Sequence, residues 1–460
     1  MDSTLAGACR RRRGLSLNGR RLRRLVGLGL AVWCGLHAPT SAASTQPIKL
    51  RVGAAALDLS GQLRLRFEND TGFDVKQYLP NTSDSFLLSR LMLNAHLRLP
   101  SHHRIFLQLR DARETGSRFK NGDFSGSNPH QDWFDIRQAY YEGVRLGGTA
   151  VGVRLGRQQI SYGDQRVFGP GQWGNTGRWV WDAALVNVKG RRLDADLWVG
   201  RPVRNRPDAW PNRPADKPVV SVVYVRVLGL PARFDVFAVS KRDDSGAVSG
   251  ERGLGDLSSY SVGFQAEGSR QALDYSVTAV AQRGRWGADD IRAGGASAML
   301  GVRLDRAWQP RLRAVWTWGS GDSNPSDGVH GTFDGVVGGA DIAFYGYLNL
   351  FFWANLHDRE LQLVLRPTPQ LDLHIGAHSF ALAASRDAWY STSLSVQRRD
   401  PSGASGTSLG RELDLRAVYR VGSNLELMVG GGYFSPGLFV ERTGPAKSAW
   451  WQMVQLTRSW

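Results

Sequence analysis

Cysteine is almost missing from this chain: of 460 residues only Cys9 and Cys34 carry a thiol. Both precede Ala43, so a chain processed after that residue has neither disulfide nor thiol chemistry. Long apolar runs are also missing. After Leu36 none approaches the roughly 20 residues that a membrane helix needs. Helical periodicity is absent as well, so a membrane form of this protein must cross with strands.

What is present begins with eight arginines between Arg10 and Arg24, an apolar run from Leu25 to Leu36, and small residues up to Ala43. That order reads as a secretory signal peptide with Ser41 and Ala43 at the cleavage positions. Val32 and Trp33 are not the small residues that lipidation of Cys34 requires. Without the eight basic and one acidic residues of this leader, the formal charge of +17 falls to about +10. The base is spread along the chain and not gathered in an arm, which argues against nucleic acid. An anionic membrane surface or an anionic solute remains.

Alternation with period two runs through the rest. Leu59, Leu63, Leu65 and Phe67 share one face of a strand, and Ser60, Gln62, Arg64, Arg66 and Glu68 share the other. Leu87 to Leu99 repeats the pattern, as do 192–200, 260–268, 273–282, 296–305 and 412–419. Short turns rich in Gly, Pro, Ser or charge fall at 100–103, 147–148, 190–191, 229–232, 269–271, 307–310, 367–369 and 421–423. Eight hairpins use sixteen strands, and one alternating segment is left at each end. The longer polar gaps, 69–85, 114–132, 161–179, 201–218, 319–358 and 383–410, all fall between hairpins. This asymmetry predicts an all-β fold: a transmembrane antiparallel up-and-down β-barrel of about 18 strands, with short periplasmic turns and long extracellular loops.

The expected organisation is a signal peptide at 1–43, a periplasmic segment at 44–58 and a barrel in the bacterial outer membrane at 59–460. Outer-membrane lipid and lipopolysaccharide are its surroundings. The last strand alternates and ends on Trp460, which resembles the signal by which barrel-insertion machinery recognises its clients. The 16 tryptophans and 12 tyrosines suit aromatic girdles.

Turn geometry assigns faces. A two-residue hairpin at Gly147 and Gly148 sets Tyr140 opposite Leu155 on the lipid side and turns Asp135, Arg137, Tyr141 and Arg154 inward. A turn at Gly190 and Arg191 likewise places Asn187, Lys189, Arg192, Asp194 and Asp196 inside. With Arg64, Arg66, Arg90, Arg98, Arg110, Arg303, Arg311, Arg313 and Arg416 the lumen is rich in guanidinium groups. Glu68, Glu267, Asp274, Asp372, Glu412 and Asp414 are interleaved. Such a wall attracts anions and binds carboxylates as planar forks. The same residues also read as a ladder of ion pairs that braces the wall, and one sequence leaves both open.

A longer pattern runs over the chain. It comprises Gly156-Arg157-Gln158, Tyr162-Gly163-Asp164, Arg166, Trp173, Asn175, Arg178 and Asp182. Far downstream come Ser320-Gly321-Asp322, Thr332-Phe333-Asp334, Tyr345-Gly346, Asn355-Leu356-His357-Asp358, Asp387-Ala388-Trp389-Tyr390, Tyr433-Phe434 and Pro436-Gly437. This resembles the alginate export porins. The resemblance implies an 18-stranded barrel through which an anionic exopolysaccharide diffuses, past arginines and acidic residues at a constriction. Carried onto this chain, the candidates are Arg137, Arg154, Arg157, Asp164 and Arg178. Strict alternation from Leu155 would turn Arg157 toward lipid, and a β-bulge at Gly156 would restore it. Periplasmic polymer-secretion proteins are partners that such an exporter implies.

No catalytic set can be assembled, and no cofactor or metal is expected. Ser405 lacks the full nucleophile-elbow spacing. Asp322, Asn324, Asp327 and Gly328 lack the distal glutamate of a calcium loop. His374 and His378 lie roughly 13 Å apart on a strand. Two other functions fit the same pattern: a general or uptake porin for small acidic or sugar solutes, and a structural or adhesive barrel closed by its loops.

Overall fold

In hydrocarbon an unpaired backbone N–H or C=O is costly, so a membrane sheet must close on itself. The computed structural model describes residues 47–73, 83–124, 128–250, 253–335, 337, 344–391 and 394–460. The expected signal peptide lies outside them. Among the described residues 18 antiparallel strands form one closed circuit. The first six are β1 (Ala55–Thr71), β2 (Ser83–Leu99), β3 (His103–Thr115), β4 (Asp132–Gly143), β5 (Val151–Gln158) and β6 (Trp181–Lys189). Next come β7 (Leu193–Pro202), β8 (Val219–Val227), β9 (Arg233–Gly250), β10 (Gly253–Arg270), β11 (Leu273–Trp286) and β12 (Asp289–Arg303). The circuit ends with β13 (Arg311–Gly319), β14 (Leu356–Thr368), β15 (Leu371–Ala381), β16 (Ser408–Val421), β17 (Leu425–Pro436) and β18 (Ala449–Ser459).

β18 closes the wall by pairing with β1, Val454 opposite Phe67 and Leu456 opposite Leu65. Trp460 adds a reciprocal pair of backbone hydrogen bonds to Gly61 at 2.9 and 3.0 Å. A Cβ on Gly61 would stand 2.3 Å from the Trp460 ring, so the indole fills the notch that glycine leaves. All eight expected turns join consecutive strands at one end, and the longer gaps lie at the other.

Burial is inverted relative to a water-soluble protein. Leu63, Leu65, Phe67, Leu197, Val199, Leu413 and Leu415 are exposed on the outer wall, while Arg64, Arg66, Arg90 and Arg110 are buried inside. Exposed Tyr275, Trp308 and Tyr419 stand near the short turns, and Trp133, Tyr260 and Trp450 near the long loops, as two girdles would. The buried apolar cluster lies within the barrel and is built largely by loop residues such as Phe168, Tyr345, Leu350, Phe351 and Trp353.

Three expectations need correction. The first strand begins at Ala55 and not at Leu59, because Ala56 to Asp58 already pair with β2 and Ile48–Val52 folds back on them. The turn after β4 is longer than two residues: Arg145 adopts the left-handed conformation, and Glu142 pairs with Arg154. Tyr141 is therefore opposite Leu155 on the outer row, and Tyr140 turns inward beneath the Arg154 guanidinium. A register shift against β3 then leaves Arg137 as an extra residue, which returns Arg137 and Asp135 to the inner side, both buried. Finally, Lys189 pairs with Asp194 and not with Arg192, which sits exposed in the turn.

Leu415 is exposed midway along the outer row of β16. Leu415→Arg is expected to cost about 2–4 kcal/mol in lipid, measured by denaturant titration of folding into liposomes.

Candidate functional site

β5 and β6 are short, and the 22 residues between Gln158 and Trp181 turn into the lumen and cross it. The outbound part packs Tyr162 and Phe168 on Tyr224 and Phe237 of β8 and β9. At its tip the Gln265 side-chain amide of β10 donates to Asp164, and Arg166 reaches Thr317 of β13. Asp164 and Arg166 also pair at 3.5 Å. The return strip, 172–177, lies along β1 to β4.

The arginine column holds that strip. Arg64 and Arg90 stand directly opposite each other on β1 and β2, an arrangement that repels unless something intervenes. The Gly174 carbonyl accepts from both, at 3.1 and 3.5 Å. Arg64 also donates to the Trp173 carbonyl and the Asn175 side chain, and Arg90 to the Gln172 carbonyl and Gln62. Arg66 donates to the Trp173 carbonyl and pairs with Glu68. Arg110 binds the Thr176 carbonyl and Asp132, and Arg137 packs against Gly177. Arg64, Arg90 and Arg137 form no ion pair among the described residues, and the acceptors of Arg64 and Arg90 are neutral oxygens that leave their charge in place.

A second loop enters between β13 and β14, and acids fasten it. Asp414 accepts from the Tyr347 N–H at 3.0 Å and Glu412 from the Leu348 N–H at 2.9 Å. Beside them His378 lies between Asp358 (3.1 Å), Glu360 (3.2 Å) and Asp414 (3.6 Å). The two loops meet where Trp173 stacks on Tyr347, with Trp451 at the edge of both. Arg416 lies over Tyr347 at 5.5 Å. Burial pushes the neighbouring Tyr345 phenol up to about 12. Beyond this narrowing a cavity of about 480 Å³ is lined by Glu68, His130, Trp173, Arg178, Asn349 and Gln397.

Toward the short turns the chemistry changes to ion pairs. Arg98 meets Asp58 (2.8 Å), Arg104 and Arg154 share Glu142 (2.8 and 2.7 Å), and Lys189 meets Asp194 (2.9 Å). Arg311 binds Asp274, with Arg313 beside it and bonded to Gln362. Arg366 and Arg420 share Asp372. Arg303 faces Arg311 at the same rim. This ring braces adjacent strands through carboxylates, three of them shared by two arginines, and it keeps a positive excess.

Arg157 takes the outward phase of its strand, although its largely buried guanidinium also lies 3.9 Å from Asp135. Gly156 has φ 120°, yet the register runs through it with no shift, so no bulge turns Arg157 inward. It keeps the phase of exposed Leu155, pairs with Asp182 at 2.8 Å and donates to the Asn212 carbonyl at 2.7 Å. In the sequence Asp358 stood out only within the family pattern and His378 only beside His374, while Glu360 was overlooked. Their placement at alternate positions of β14 and on facing β15 was the available signal.

An outer-membrane porin-type β-barrel is the class that this wall, its inverted burial and its infolded loops define. The chain belongs to the alginate export family, whose model matches residues 55–451. No curated protein matches it. Among solved structures it is similar to OprD of Pseudomonas aeruginosa (9% identity, TM-score 0.57, covering 88% of this chain and 94% of that one). It is also similar to OccK9 (OpdG) of the same organism (12%, TM-score 0.58, 88% and 98%) and to OccAB2 of Acinetobacter baumannii (11%, TM-score 0.57, 88% and 98%). At these identities the likeness is one of fold.

His130, in the loop before β4, offers a titratable report on the cavity. Burial opposes its charged form, but Glu114, 2.6 Å away, outweighs this and holds its pKa above the ordinary histidine range. The stabilisation is therefore complete below the unfolded histidine pKa and lost as pH rises through the raised value. The imidazole resonances of His130 should titrate above the usual midpoint, and Glu114→Gln should bring that midpoint below it. An unchanged midpoint would contradict the assignment.

Proposed function

We propose that this porin passes an anionic polysaccharide, alginate-like in its carboxylates, passively through the lumen. The observation that carries the reading is the pair of buried guanidinium groups of Arg64 and Arg90, which bond neutral oxygens and form no ion pair among the described residues. Cations satisfied by neutral oxygens keep their field, and in a low-dielectric wall that field reaches the passage. A polyanion meeting it gains at each step without a site strong enough to stop it. Asp164, Arg178 and Arg416 flank the route near the infolded loops, and the ring at the mouth adds a positive excess of its own. Membership of the alginate export family supports the same substrate class.

A second reading is favoured by the two infolded loops: a lumen narrowed at Trp173 and Tyr347 also suits small acidic solutes. The two separate in planar bilayers. For polymer passage, current is anion-selective and blocked by soluble polyuronate. Arg64→Gln with Arg90→Gln should lower the anion preference roughly five- to thirtyfold, given about 0.5–1 kcal/mol for each of the two charges in water-like surroundings. Lysine at both positions should keep the preference. Cation-selective current indifferent to polyuronate would sink the first reading, and fast flux of small acids without polymer block would establish the second.

A further inference from the structure

The outer surface gathers a second set of arginines, whose side chains meet no oxygen among the described residues. The loop between β7 and β8 lies beside the short β5 and β6. Within it Val203 pairs with Pro214, and the Arg204 N–H donates to the Arg213 carbonyl at 3.3 Å. Arg204 and Arg213 are thus neighbours across a small ladder. At the alternate positions Asn205 and Asn212 are buried and reach toward the lumen side. Asn205 bonds Arg110 and Gly177, and Asn212 bonds Asp132 and Asp135. Arg204 and Arg213 leave on the other side, exposed.

Arg201 follows Leu197 and Val199 in the outward row of β7 and emerges where the apolar belt ends. Its register partner Asp182 is held by two nitrogens of Arg157, at 2.8 and 3.1 Å. Asp208 of the same loop is taken by Arg206 at 3.2 Å. Arg201, Arg204 and Arg213 form no ion pair among the described residues. Like charges opposed across a ladder destabilise it, so this one is built for an external anion.

Aromatic rings stand beside them. A two-residue bulge at the start of β4 loops out Trp133 (52% exposed) and Phe134 (49%) opposite Asp111. Trp210 (69% exposed) donates its indole N–H to the Phe134 carbonyl at 2.9 Å. Arg113 lies over the Trp133 ring at 5.1 Å. Aromatic and basic residues at the edge of a lipid-facing wall are what anionic headgroups meet.

We infer that this surface binds the phosphorylated headgroup of a glycolipid in the outer leaflet. The forks of Arg201, Arg204 and Arg213 take the phosphate. Trp133, Phe134 and Trp210 cover the first acyl carbons, and a shallow dent at Leu155, Ala184 and Val199 receives a chain below. The apolar row continuing beneath the arginines selects lipid over a soluble anion.

The test is native mass spectrometry of the full barrel in detergent, titrated with bisphosphorylated lipid A and with the same lipid dephosphorylated. The phosphorylated form should bind at least about tenfold tighter. That preference should vanish in R201Q/R204Q/R213Q, weaken in R204Q and in W210A, and persist in R359Q/R411Q, which removes exposed arginines of β14 and β16. Heat-modifiable gel migration identifies folded variants. Equal affinity for the two lipids, or an undiminished preference in the folded triple variant, would overturn the inference. So would displacement by millimolar inorganic phosphate without any lipid preference, which would mark an ion site.

Discussion

One carbonyl oxygen, that of Gly174, lies between two guanidinium groups that would otherwise repel each other across β1 and β2. The interaction works in both directions. Without the strip at 172–177, Arg64 and Arg90 would face each other in the wall with no mediator. Without the arginines, a strip of backbone carbonyls deep in the barrel would lack donors. The lumen's shape and its charge therefore have one origin, since the contacts that place the loop also leave positive charge behind.

The second loop repeats the logic with the sign reversed. Glu412 and Asp414 sit two residues apart on the inner face of β16 and accept the N–H groups of Leu348 and Tyr347. Backbone offers a donor and an acceptor at every residue, so a barrel can fasten an infolded loop with either charge. This chain uses both, and the two loops come together through Trp173 and Tyr347.

Most of the wall was legible in the sequence because it is local. Period-two alternation and turn composition located every short hairpin and the strand number, since a strand's faces are fixed by backbone geometry alone. Register is harder. At Gly147 and Gly148 the left-handed Arg145 lengthens the turn by a conformation that nothing in its identity announces, and the faces of Tyr140 and Tyr141 exchange. Arg137 and Asp135 still lie inside because a shift against β3 reverses the error further along. The paths of the loops were not legible, because Trp173 meeting Tyr347 depends on contacts between segments far apart in the chain. Arg157, too, has its orientation set by Asp182 and Asn212, which belong to other elements.

The opposite fastenings polarise the lumen sideways. Net positive charge lies in the sector of β1 to β4 and carboxylates in that of β14 to β16, so the field has a component across the passage as well as along it. A transverse field of this kind exerts a torque on any dipole within it. Conductance measures only the axial part, and two barrels with equal ion selectivity can differ in how they orient what they carry.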